Sequence, residues 1–164
     1  MSNPDGRYYL YLLDFDFQSS IRRDDYRPVV VNTRFQSCIQ DSKQYGDTLV
    51  VIVNGDNFLT AKKGKPFQDL ATRMLIVSAL RGVDYVVALE VDDDPTVIVA
   101  LETIRPDVFT KGGDRIDETS IPEWATCLKH DIKVVSGVGL EKFWSSSDFL
   151  RSWEEHAAAR DAAK

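Results

Sequence analysis

The sequence predicts a doubly wound parallel α/β sheet, and three observations carry that expectation. Leu49-Val50-Val51-Ile52-Val53 is a continuous β-branched run, the pattern of a parallel strand covered on both faces. From Pro28 onward, short apolar runs alternate with stretches of helical periodicity, as successive strand–helix units require. Finally, Asp107-Val108-Phe109-Thr110 runs straight into Lys111-Gly112-Gly113-Asp114-Arg115. Open α/β sheets gather ligands at the carboxyl ends of their strands, so a glycine pair there offers backbone N–H groups to a ligand.

The elements follow in order. Tyr8 to Phe17 is an aromatic-rich strand, and Gln18 to Arg27 is polar. Residues 1–27 break the strand–helix rhythm and read as an N-terminal strand extension, placed at the sheet edge or a subunit contact; residues 28–164 read as the α/β domain. Exposed aromatic strands associate unless covered, so this one is expected to form a homodimer. In the α/β domain a first strand is expected at Val29-Val30-Val31 and a helix from Phe35 to Tyr45, ended by Gly46. After the strand at Leu49, the polar, Gly/Lys-containing stretch Asn54 to Phe67 reads as a loop. Leu70, Met74, Val77 and Leu80 recur at helical spacing over about Asp69 to Arg81, and Tyr85 to Leu89 is the next strand. Asp94-Pro95 starts a helix that ends near Ile104, because Pro106 disfavours helical geometry at Arg105. The strand before the glycines, a helix from Pro122 to Lys129, a strand at Ile132 to Val135 and a terminal helix capped by Ser145-Ser146-Ser147-Asp148 complete the chain. The expected architecture is thus a Rossmann-like five-stranded parallel sheet, with strands at Val29, Val50, Val86, Val108 and Val134, plus the extra N-terminal strand.

Composition narrows the function. With 164 residues, 43% hydrophobic and 28% charged, the chain has the length and make-up of one soluble domain with a proper core. Its net charge of −6 argues against a general nucleic-acid binder, which needs a basic face. No apolar run approaches a membrane span, and the first residues lack the regions of a signal peptide. Cys38 and Cys127 have no metal or redox spacing and read as reduced and packed, which gives a cytoplasmic expectation. Histidine is scarce: only His130, expected exposed at a helix end, and His156.

Two readings of the glycine turn stand side by side. In one, Lys111 and Arg115 neutralise a phosphate, Asp114 accepts from a ribose hydroxyl, and Gly112-Gly113 let the backbone approach. In the other, the turn simply ends a strand and its charges are solvated. The surrounding segments favour the first. Gly46-Asp47-Thr48-Leu49-Val50-Val51-Ile52-Val53-Asn54, Asp56, Lys62-Lys63-Gly64, Arg73 and Ala79-Leu80-Arg81-Gly82-Val83-Asp84 come first. Leu101-Glu102-Thr103-Ile104-Arg105-Pro106-Asp107, Lys111 to Arg115, Ile121-Pro122-Glu123, Glu141-Lys142 and Ser145-Ser146-Ser147 follow. In this order and spacing, Pro28 to Leu150 resembles the cytidylyltransferase-like nucleotidyltransferases, a family that includes glycerol-3-phosphate cytidylyltransferase and the nucleotidyl-transferring domain of sugar-phosphate activating enzymes.

The resemblance implies transfer of a nucleotidyl group, CTP being the expected donor, to a phosphorylated small molecule with release of pyrophosphate and with Mg2+ where the chemistry runs. The protein contributes positioning and charge stabilisation. The resemblance gives Lys63 a catalytic phosphate contact from a flexible loop, against the alternative of a solvated lysine. It gives Arg73 a ligand contact from the polar side of its helix, against an ordinary surface arginine. Ser145, Ser146 and Ser147 would open a helix facing the triphosphate, against an ordinary N-cap. Gly112-Gly113 and these serines are expected at one sheet edge, facing one cleft. Asp84 reads as a strand-entry turn residue, and Asp92-Asp93-Asp94 as a helix cap.

One departure qualifies the implied activity. The family's defining element is His-x-Gly-His at the start of the first helix. Counting back from Gly46-Asp47 puts Asn32-Thr33-Arg34-Phe35 there, and no histidine precedes His130. Arg34 is the available substitute, since a guanidinium neutralises phosphate, but it cannot reproduce a paired-imidazole geometry. The expectation is therefore a nucleotidyltransferase frame with impaired or absent turnover. The alternative is a catalytically dead nucleotide-binding or assembly module on the same fold.

Overall fold

The computed structural model describes residues 8–13, 33–66, 68–91, 96–112, 117–140 and 146–162. Its strands are β1 (Tyr8–Leu13), β2 (Thr48–Asn54), β3 (Tyr85–Leu89), β4 (Val108–Gly112) and β5 (Lys133–Val138). Its helices are α1 (Thr33–Lys43), α2 (Asp56–Lys63), α3 (Leu70–Ser78), α4 (Ile98–Ile104), α5 (Trp124–Lys129) and α6 (Ser146–Ala162). The strands form one sheet in the order β3-β2-β1-β4-β5, and every neighbouring pair is parallel. The parallel α/β expectation holds.

The N-terminal strand is corrected. Rather than lying at the edge, β1 sits at the centre of the sheet, with Tyr8↔Thr48 to Leu13↔Val53 on one side and Tyr9↔Val108 to Tyr11↔Thr110 on the other. The physical reason is in its composition. Tyr8-Tyr9-Leu10-Tyr11-Leu12-Leu13 contains no charged residue, as a parallel strand covered on both faces requires. Pairing on both sides also satisfies both rows of its backbone groups, which an edge leaves open. The strand expected at Val29 to Val31 lies outside the described residues.

Because side chains alternate along β2, the sheet has a core on each face. Leu49, Val51 and Val53 pack with Phe35, Cys38 and Ile39 of α1 and Val77 of α3. Val50 and Ile52 pack on the other face with Ala100 and Leu101 of α4 and Cys127 of α5. Helices on both faces make the sheet doubly wound.

Local signals fix the helix ends. Asp69 caps α3 by accepting from the Thr72 N–H at 2.7 Å. Arg105 closes α4 in the left-handed region at φ 48°, with Pro106 next. The expected loop from Asn54 to Phe67 is corrected by α2, which starts after Gly55 and stops at Gly64. At φ 83°, Gly64 returns its N–H to the Thr60 carbonyl at 2.8 Å. At the amino ends of the strands, Asp84 accepts from the Leu49 N–H at 2.7 Å and pairs with Lys43, the strand-entry role expected of it.

Candidate functional site

All five strands point the same way, so their carboxyl ends share one edge of the sheet, where α/β folds bind ligands. The first helix also begins there. Lys43, in its last turn, reaches the amino edge through Asp84 and the Asp47 carbonyl, while its middle is tied to the carboxyl end of β5. There the Cys38 thiol donates to the Val138 carbonyl at 3.2 Å, Asp41 accepts from the Gly139 N–H at 2.8 Å, and Ser37 accepts from the Leu140 N–H at 2.9 Å. Gly139 is required by this contact, since a Cβ on it would lie 2.3 Å from the Cys38 sulfur. The helix is therefore held so that Thr33-Arg34, the expected histidine-motif position, stands at the ligand edge.

A second junction closes the edge at β2. Arg73 is 1% exposed, which corrects its expected place on the polar side of α3. Its guanidinium donates to the Asn54 carbonyl at 2.6 Å and the Gln68 carbonyl at 3.1 Å, and pairs with Asp56. The other Asp56 oxygen accepts from the Leu70 N–H at 3.2 Å. The Gly55 N–H donates to the Leu89 carbonyl at 2.7 Å, joining the ends of β2 and β3. A charge that would bind a phosphate in an open cleft here fixes the carboxyl end of β2.

The third junction is at β4. Phe109 and Lys111 point to the α5 side of the sheet, and the buried Lys111 ammonium donates to Glu123 at 2.7 Å. This corrects the expected outward-facing lysine: the buried charge is compensated from within. Thr110 points the opposite way and shares a 2.8 Å hydrogen bond with Ser42 of α1. Between Lys111 and Gly112 the register with β5 shifts, with Gly112 opposite Val138 and Gly137 passed over at φ 71°. Such a bulge re-aims the backbone where the strand ends.

The structure thus brings Arg34, Arg73, Lys111 and Gly112 to the carboxyl edge and turns the side chains of Arg73 and Lys111 inward. Lys63 is the last residue of α2 rather than part of a loop. Ser146 and Ser147 form the first turn of α6. Gly113, Asp114, Arg115 and Ser145 lie outside the described residues. His130 is mostly covered rather than exposed, its Nε2 3.8 Å from a Glu102 oxygen. Among the described residues no group of three or more His, Cys, Asp or Glu side chains is placed to hold a metal ion. No described helix is long and apolar enough to cross a membrane. The sequence reading missed Glu123 and the Asp56 network. Arg73 falls three residues after Leu70 and four before Val77, on the buried stripe, and that spacing was the available signal.

Residues 37–149 match the sequence model of the cytidylyltransferase-like family. The bifunctional protein HldE of Alcanivorax borkumensis is 36% identical over 100 residues, 59% of this chain and 20% of that protein. The bifunctional protein HldE of Methylococcus capsulatus is 38% identical over 110 residues, 62% of this chain and 23% of that protein. The chain therefore spans about a fifth of the length of these relatives. A lipopolysaccharide core biosynthesis protein from Thermoplasma volcanium GSS1 shares the fold, with a TM-score of 0.63 at 20% identity over 82% of this chain and 98% of that one.

Proposed function

Because the chain belongs to the cytidylyltransferase-like family, we propose that it binds a nucleoside triphosphate, CTP foremost, at the carboxyl edge of its sheet, beside a site for a phosphorylated small molecule of the sugar-phosphate class. In an active member the reaction joins the nucleotidyl group to the acceptor phosphate and releases pyrophosphate. In this chain the proposed turnover is very slow or absent.

The observation that carries the second half is the placement of charge. The position that resemblance gives to the paired histidines holds Asn32 to Phe35. Of the cations expected to contact the ligand, Lys111 is committed to Glu123 and Arg73 to Asp56. Losing one preorganised donor to developing charge costs on the order of 10²–10³ in rate, and two donors are replaced here. Arg34, Lys63 and Arg115 are the proposed remaining phosphate contacts, with Gly112-Gly113, Asp114 and the N–H groups opened by Ser145, Ser146 and Ser147 completing the nucleotide site. A Mg2+ ion would arrive on the triphosphate, since such ions bind mainly through substrate phosphates. The described residues supply no cluster for it, and no step is assigned to it. The working location is the cytoplasm, supported by two buried cysteines that form no disulfide.

Calorimetry with CTP, ATP and their diphospho-conjugates, with and without magnesium, tests the reading. Saturable nucleotide binding supports it. No binding to any of them would favour a pure assembly module.

A further inference from the structure

Two successive residues at the end of β4 are pinned from opposite faces of the sheet. Thr110 shares its 2.8 Å hydrogen bond with Ser42 of α1, and both side chains are fully buried. Lys111 turns to the other face, 8% exposed, and donates to Glu123, 2% exposed, at the start of α5. Its ammonium also stands 5.6 Å from the centre of the Phe109 ring, two residues back on the same face. Glu123 is itself held in place. Its carbonyl accepts from the Cys127 N–H at 3.0 Å, and Ile121, two residues before it, is packed in the core.

Stability alone does not account for an ion pair at this place. Withdrawing both charges from water offsets most of their attraction, so apolar side chains of similar volume would hold β4 to α5 about as well. Among the described ion pairs this is the one with both members buried; Asp56, the partner of Arg73, is 41% exposed. What a charged hydrogen bond adds is direction. An ammonium aimed at one carboxylate oxygen admits fewer arrangements than two apolar side chains in contact. Direction is needed here because the ladder stops supplying it. Between Lys111 and Gly112 the register with β5 shifts, so backbone pairing does not by itself fix the orientation of Gly112.

We propose that the Lys111–Glu123 pair is a positioning device for the ligand edge: it fixes the backbone of Gly112, where the glycine turn opens, in the orientation that meets a nucleotide. That a nucleotide is what the turn meets rests on the function proposed above. Neither side chain touches the ligand. Lys111 acts through its peptide bond to Gly112, and Glu123 acts by holding Lys111. With Ser42 and Thr110 clamping the opposite face, the strand end is set between α1 and α5 before a ligand arrives. Backbone ordered in advance does not have to be ordered by the ligand, which raises affinity without any new contact.

Backbone amide relaxation at Gly112, measured by NMR on the ligand-free chain beside calorimetry with CTP, tests it. The combined Lys111→Met and Glu123→Leu variant is expected to keep the wild-type Tm. Its Gly112 order parameter should drop from the rigid level of about 0.85 to below about 0.6. Its CTP affinity should fall about tenfold. Glu123→Gln keeps an acceptor for Lys111 but not the charge. It is expected to lower Tm, yet to leave Gly112 ordered and CTP affinity within about threefold of wild type. A merely structural pair would move Gly112 and affinity in step with Tm, and that result overturns the proposal. So does a double variant whose Gly112 is as ordered as in the wild type. CTP binding that tightens in Glu123→Gln also overturns it, by showing Lys111 released to the phosphates. If the wild type binds no CTP the nucleotide reading fails, and relaxation at Gly112 alone decides whether the pair positions it.

Discussion

Lys111 and Glu123 form an ion pair almost wholly withdrawn from solvent, 2.7 Å from Nζ to Oε2, joining the carboxyl end of β4 to the start of α5. A buried pair of this kind is costly to break, because the surviving charge has no water and no partner. Glu123→Ala is therefore expected to lose about 3–5 kcal/mol of stability in urea unfolding, whereas the combined Lys111→Met and Glu123→Leu exchange should come close to wild type. A small effect of Glu123→Ala would mean that the pair contributes little to holding β4 against α5.

The contact between Gly139 and Cys38 gives a sharper test of how α1 is held. At φ 84°, with backbone and sulfur atoms of Cys38 within 3.0 Å of any added Cβ, Gly139→Ala combines strain with overpacking and should cost about 1–3 kcal/mol or more. Gly137 has a similar φ, 71°, but open space around it. Gly137→Ala is expected to cost only the conformational strain, about 1 kcal/mol. Equal losses for the two variants would show that the close approach to Cys38 is unimportant.

Acid should release one helix cap, at Asp69, and one turn, at Asp117. The Thr72 backbone N–H, with its side chain, holds Asp69 below the ordinary aspartate value of 3.8, and the Thr119 and Ser120 hydrogen bonds do the same for Asp117. A lowered native pKa stabilises the fold once the carboxyl is ionised. That stabilisation is complete above the unfolded pKa and is lost as pH falls through the native one. Tm differences between wild type and Asp69→Ala or Asp117→Ala should thus be largest near neutrality and close as pH falls below about 4. Differences that persist unchanged into acid would remove the carboxylates from the explanation.

Cys127 is expected to be chemically inert in the folded protein. Burial, with the neighbouring Glu123 charge, pushes its thiol up to about 11, so the thiolate is scarce at pH 8. Its alkylation should become fast only in denaturant, and rapid labelling of the native chain would contradict its buried placement.

Much of this architecture is legible in single residues. The continuous run at Leu49 to Val53 announced a strand with a core on each face, the helical spacing from Asp69 announced the start of α3, and Arg105-Pro106 announced the end of α4. What escaped was long-range. The uncharged run Tyr8 to Leu13 suits a central strand but does not name its partners, because β2 and β4 lie far along the chain. The inward turn of Arg73 and Lys111 escaped for a related reason. A basic residue near a ligand edge suggests a phosphate, and only the spatial proximity of Asp56 and Glu123 redirects it. The short α2 was hidden by a polar composition that Gly55 and Gly64 frame as a helix.

Pyrophosphate release from CTP, with phosphorylated sugars and other common phosphorylated acceptors in the presence of Mg2+, tests the central claim most directly. With Asn32 to Phe35 standing where the paired histidines belong, the wild type should release pyrophosphate very slowly or not at all, and Arg34→Ala should change little. Robust release by the wild type, abolished in Arg34→Ala, would contradict the account and make Arg34 the centre of a rebuilt phosphate-binding element.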